Sequence, residues 1–333
     1  MLNRGENVEA RVSRRQLLLH AAVSAGVVSA LGRRSWVQAE QWPHRPAPTL
    51  RFGIHTLPQH GTYGALLQVW QVADRLGFDS AFLFDHLLPI EGSAQGSCLE
   101  GWTLLAALAA QTKRMWVGVL VTGNTYRHPA VLAKMTATVD HISHGRLILG
   151  VGAGWFERDH TAYGIPFFTP GECARRLAET VAMLQQLFSQ ERSTFTGRYY
   201  QLQDAPFAPR SLQRPMPPLL IGGMGIKRIQ PLAARYANLW HCSVEDADPH
   251  ATKAVCARFD DLCHQVGRNP QEVEKVISLD YEQLTESTAT VRKWIRGLVE
   301  AGIQHFVLTL PAPYDRKLLT RFATEIRPTL QGR

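Results

Sequence analysis

Residues 115–154 read MWVGVLVTGNTYRHPAVLAKMTATVDHISHGRLILGVGAG. Residues 115–121 are a short apolar run rich in Val, the composition of a strand buried on both faces. Residues 122–124 supply a turn, and Pro129 sits where a first helical turn tolerates proline. Val131, Met135, Val139 and Ile142 recur at helical spacing, His144-Gly145 ends the helix, and 146–151 is a second buried strand. A βαβ unit of this kind implies a parallel sheet.

The alternation continues on both sides. Upstream, the pattern predicts strands at 50–54 and 80–84, a helix at 63–76 closed by Gly77, and a helix near 100–111. Downstream comes an aromatic, Gly- and Pro-punctuated insertion at 155–170 and a periodic helix at 172–189. A stretch at 193–203 alternates around Gly197 as a hairpin does. Further strands are expected at 219–221, 238–242, 275–280 and 304–310, and helices at 226–236, 249–265, 288–301 and 315–326. Eight strands alternating with eight helices predict an α/β fold, a (β/α)8 TIM barrel. It carries an insertion after strand four and a small hairpin before strand five. In that architecture chemistry sits at the C-terminal ends of the strands.

Composition sets limits on function. The chain has 333 residues, 45% of them hydrophobic and 19% charged, as a globular protein does. Net charge is +8, but residues 1–39 carry six arginines against two glutamates, so about half of it lies there. The remainder is mildly basic, without a basic stripe interleaved with aromatics, which argues against a nucleic-acid partner. Five scattered cysteines without a CxxC argue against a disulfide scaffold. Ser13-Arg14-Arg15-Gln16-Leu17-Leu18-Leu19 is similar to a twin-arginine export signal. The apolar run after it is too short to span a bilayer, and Val37-Gln38-Ala39 has the shape of a cleavage site. The expected organisation is a signal peptide at 1–39, a Pro-rich linker at 40–48 and the barrel at 49–330. The expected localisation is outside the cytoplasm: periplasm, cell envelope or medium. The twin-arginine translocase is the partner for export.

Three constellations stand at strand ends. Asp85-His86 leaves strand two; the histidine can exchange a proton near neutral pH, and the adjacent carboxylate could orient it. Gly222-Gly223-Met224-Gly225 lies between a strand and a helix, an arrangement that binds anions, with Lys227 and Arg228 close by. Gly150, Gly152 and Gly154 fail the dinucleotide fingerprint, because Trp155 stands where its third glycine belongs; close backbone approach is expected there. His141 and His144 have metal-ligand spacing but lie at the rim opposite the active face, and no metal centre is expected.

The run TYRHPAVLAKMTATVDHISHGRLILGVGAGWFERDHTAYGIP, residues 125–166, resembles the bacterial-luciferase-like superfamily of flavin and deazaflavin oxidoreductases. The subgroup to which it is most similar depends on coenzyme F420, a deazaflavin. The resemblance implies a homodimer and a ring bound at the C-terminal mouth. Asp85 and His86 match a catalytic pair beside the reactive carbon. Matching the Arg-x-Pro that follows strand three places a non-prolyl cis bond at about Val119-Leu120, backing the ring. Thr122 and Asn124 would lie along the ring or its ribityl chain, His55 would face the ring, and Gly222, Gly223, Met224 and Gly225 would hold the phosphate. The sugar-phosphate dehydrogenases of the superfamily carry a Glu where this chain has Trp155. Their anionic-sugar chemistry is therefore not expected, and Trp155, Phe156, His160 and Tyr163 would wall a pocket for a bulky or hydrophobic substrate. The expected activity is hydride transfer between F420 and such a substrate. The alternatives are an FMN-dependent monooxygenase using O2, and a non-catalytic barrel that binds a flavin or a lipid.

Overall fold

The computed structural model describes residues 50–330. The expected signal and linker, 1–39 and 40–48, lie outside the described residues. The strands are β1 (Arg51–Thr56), β2 (Ser80–Leu83), β3 (Trp116–Val119), β4 (Thr122–Gly123), β5 (Leu147–Gly152), β6 (Arg192–Thr196), β7 (Gln201–Pro206), β8 (Leu219–Gly222), β9 (Leu239–Cys242), β10 (Glu274–Leu279) and β11 (His305–Leu310). All but β6 and β7 form one parallel sheet in the order β3-β2-β1-β11-β10-β9-β8-β5-β4, and pairing of β3 with β5 closes it into a barrel. The two-residue β4 continues the path of β3. β6 and β7 form the antiparallel hairpin.

Alternation along each strand builds two layers. Phe82, Leu120, Ile148, Leu220, Leu239, Val276 and Val307 fill the barrel interior. Their neighbours in sequence, such as Leu83, Leu149, Ile221, Trp240, Ile277 and Leu308, pack outward under the helices. The helix Tyr63–Leu76 shows how one such cover is made. Leu66, Val69, Trp70 and Ala73 form its buried stripe, Thr62 accepts from the Ala65 N–H at 3.3 Å, and Gly77 ends it at φ 76°. Trp70 Nε1 then donates to Thr56 Oγ1 at 2.8 Å, fixing the helix against β1.

The seam needs glycine. A Cβ on Gly118 would sit 2.6 Å from the Ile148 carbonyl oxygen, and one on Gly150 would overlap the Val119 carbonyl oxygen. Beyond the seam the chain bends at a cis peptide, Leu120-Val121, one residue later than the bond placed by resemblance. The Val121 side chain then lies on a pad of two glycines, where a Cβ on Gly152 would come within 2.5 Å and one on Gly222 within 2.9 Å.

The helix expected from 226 begins at Ile229, because the Gly225 carbonyl accepts from the N–H groups of Arg228, Ile229 and Gln230 and holds 226–228 as a turn. The insertion after β5 contains a helix of its own, Glu157–Tyr163.

Candidate active site

β2 ends pointing its next residues into the mouth of the barrel. His86 is 9% exposed and encircled by aromatic edges: Phe84 at 5.0 Å, Phe156 at 5.4 Å and Trp155 at 5.6 Å between ring centroids, all near perpendicular. Its Nδ1 lies 2.7 Å from Asp159 Oδ2. An ionised carboxylate can only accept, so Nδ1 carries the proton and Nε2 is left with a lone pair for the mouth. The Tyr126 hydroxyl donates to the same Oδ2 at 2.6 Å, and the N–H groups of Leu87 and Leu88 donate to Oδ1 at 3.2 and 2.9 Å. Burial alone would raise the Asp159 carboxyl, but its bonds to His86, Tyr126 and Leu88 hold it below the usual carboxylate value. Burial and Asp159 together push the Tyr126 phenol upward, so it stays a donor.

Asp85, the expected orienting group, lies elsewhere. It is 1% exposed and makes a two-pronged contact with Arg127, whose Nη2 lies 3.0 Å from Asp85 Oδ1. The same guanidinium reaches Glu100 Oε1 at 3.1 Å, and Glu100 also accepts from the Trp102 and Thr103 N–H groups at 3.2 and 2.7 Å. Asp85 therefore locks the end of β2 to the loop after β4 and to the next helix. Adjacent residues, Tyr126 and Arg127, serve the two acids separately.

Three other expected site residues turn into the protein. Thr122 Oγ1 accepts from Trp102 Nε1 at 2.8 Å, behind the sheet. Asn124 Nδ2 donates to the Ala153 carbonyl at 2.7 Å and to that of Gly152 at 3.3 Å, tying β4 to the end of β5. His160 is fully buried, between Thr125 Oγ1 at 2.7 Å and the Phe156 carbonyl at 3.0 Å, and lies under the Tyr126 ring. It braces the wall and does not form it. Trp155 is 66% exposed and Tyr163 57% exposed, both on the insertion; Phe156 is half-buried. Val119 is buried behind the cis bend, and Leu120 fills the barrel interior below it.

Across the mouth, His55 is half-buried and its Nε2 is buried without a partner. Burial, then His241 and His86, lower its pKa to about 3. His241 Nε2 lies 2.9 Å from Ser278 Oγ, and burial followed by His305 lowers its pKa to about 4. Both imidazoles are neutral at physiological pH. At the end of β8, Gly223 has φ 128°, open to glycine but strained for other residues, and its N–H donates to the His241 carbonyl at 3.2 Å. The chain from Gly225 to Arg228 is exposed, presenting Lys227 and Arg228. Met224 is partly buried against the core.

The Luciferase-like monooxygenase family profile matches residues 37–305. An F420-dependent glucose-6-phosphate dehydrogenase of Intrasporangium calvum is 36% identical over 317 residues, covering 78% of this chain and 92% of its own. One of Microbacterium testaceum is 32% identical over 232 residues, 69% of this chain and 67% of its own. An F420-dependent secondary alcohol dehydrogenase solved with an F420-acetone adduct superposes with a TM-score of 0.76 at 20% identity, over 85% of this chain and 99% of that one, which shows the shared fold.

Proposed function

The chain belongs to the luciferase-like monooxygenase family, and on that premise we propose that it is an F420-dependent oxidoreductase. It moves a hydride between the deazaflavin and an organic, bulky or hydrophobic substrate. Relatives that carry F420 in their names support the cofactor. The observation that carries the chemistry is His86 at the mouth, with Nδ1 held by Asp159 and Nε2 left for substrate.

The residues present fit a flat ring with an anionic tail. Val121, lying on the Gly152 and Gly222 pad and packed against the interior layer of the barrel, makes an apolar shelf. The exposed 225–228 loop with Lys227 and Arg228 offers backbone N–H groups and positive charge to a phosphate. Bound F420 supplies the ring carbon that accepts or returns the hydride. The chain supplies the proton path. In the oxidising direction Nε2 of neutral His86 takes the substrate hydroxyl proton, and Asp159 stabilises the resulting imidazolium. In the reducing direction the same nitrogen returns it. Trp155 and Phe156 pack edge-on to the His86 ring from the insertion side.

Substitution of His86 by Ala tests this. F420 affinity, followed by fluorescence titration, is expected to persist, while turnover falls about 10²–10⁴-fold. Turnover at the wild-type rate overturns the role of His86. Parallel titration with FMN, scored with oxygen consumption, distinguishes the monooxygenase alternative.

The proposal extends to the whole protein: export by the twin-arginine route, supported by the motif at 13–19, and a homodimer, supported by the resemblance to the family. Replacement of Arg14 and Arg15 by Lys is expected to abolish export in a host with that route, and light scattering reads the assembly.

A further inference from the structure

The strands of the barrel carry an apolar layer and, one repeat nearer the mouth, a polar one. Leu239, Val276 and Val307 belong to the interior layer. Two residues on, and so on the same face, come His241, Ser278 and Thr309. His55 completes the set: it is in register with Thr309 across the β1–β11 pair, while its neighbours Ile54 and Thr56 face the helices. β9, β10, β11 and β1 are consecutive in the sheet, so these four side chains form one arc around the mouth. Each is half-buried between fully buried neighbours, as residues opening on a cavity are. One contact within the arc is made, His241 Nε2 to Ser278 Oγ; the buried Nε2 of His55 has none. A buried polar atom without a partner costs about 1–3 kcal/mol, so one that persists marks a place where a ligand supplies the missing bond.

We infer that the arc His55, Thr309, Ser278 and His241 is the polar seat of the substrate and takes an uncharged hydroxyl or carbonyl group, not an anion. This rests on the oxidoreductase assignment above and names the substrate class of that same site. None of the four residues carries a charge, and both imidazoles are held neutral by burial. A phosphate placed on them would be desolvated without a countercharge. A neutral oxygen meets a histidine able to donate or accept, beside hydroxyls that do either. The seat adjoins His86, because β1, which carries His55, pairs with β2, from whose end His86 follows. It also moves His55 from the cofactor's side of the mouth to the substrate's.

The test uses the full chain, with and without F420, and three probes: cyclohexanol, cyclohexanone and glucose 6-phosphate. Ring resonances of His55 and His241 are followed by NMR. The neutral probes are expected to shift both rings, and glucose 6-phosphate to leave them in place. His55→Phe is expected to weaken cyclohexanone binding at least about 10-fold while F420 affinity stays within about twofold, and His55→Gln, which keeps a polar atom, to recover part of the loss. Rings that ignore both neutral probes, or that respond equally to glucose 6-phosphate, overturn the seat. A wild-type chain that fails to bind F420 overturns the oxidoreductase assignment instead, and the ring shifts of the unloaded chain still decide the seat.

Discussion

Asp159 decides which nitrogen of His86 meets the substrate. Replacing it with Asn keeps the size but removes the charge that favours Nδ1–H and the imidazolium. Asp159→Asn is expected to leave F420 affinity intact and lower turnover about 10–100-fold, as loss of a hydrogen bond to a charged group does. Turnover at the wild-type rate counts against the pairing. Sequence adjacency pointed to Asp85 for this role. Consecutive residues at a strand end point to opposite sides, so the acid next to His86 in the chain is the one that cannot reach its ring. Asp159 is far along the sequence, at 2.7 Å in space, and only its position on the insertion beside the singled-out His160 hinted at it.

At the scale of elements, strands and helices were legible because both layers of the barrel follow period two and the covers follow 3.6. The bend at 120–121 was reached only by resemblance, one residue early, and the late start at Ile229 was not legible, because the Gly225 carbonyl takes the N–H groups of Arg228, Ile229 and Gln230. The seam glycines make a sharp contrast. Gly150→Ala, facing a backbone oxygen, is expected to cost at least about 2 kcal/mol, whereas Gly64→Ala, in an exposed helical turn with nothing within 4 Å, is expected to gain about 0.5–1 kcal/mol. Chemical denaturation of the two variants reads the difference. The ion cluster gives a second prediction. Arg127→Met leaves Asp85 buried without its cation and is expected to cost about 3–5 kcal/mol, read as a lowered midpoint. A change under 1 kcal/mol would show that Asp85 is protonated without loss.

The whole molecule should be acid-labile before its carboxylates titrate. His55 and His241 bind protons in the unfolded chain below about pH 6.5, but in the fold only near 3 and 4. The unfolded state therefore holds more protons in that window, and stability falls as pH drops from 6.5 towards 4, by up to about 1.4 kcal/mol per unit for each histidine. Asp159, held low, acts later: its contribution is present above the ordinary carboxylate range and disappears as pH falls through its lowered value. Melting temperatures between pH 7 and 4.5 check this, and His55→Phe should flatten the slope.

One carboxylate ties together segments that are remote in sequence. Asp159 receives the ring of His86, the phenol of Tyr126 and the N–H groups of Leu87 and Leu88. The insertion is thus pinned at the residue that aims the base, while Trp155 and Tyr163 on either side of that pin are exposed. An excursion fastened in this way behaves as a cartridge. Its outward residues can be exchanged to retune what enters, and the proton chemistry beneath travels unchanged as long as the pin remains.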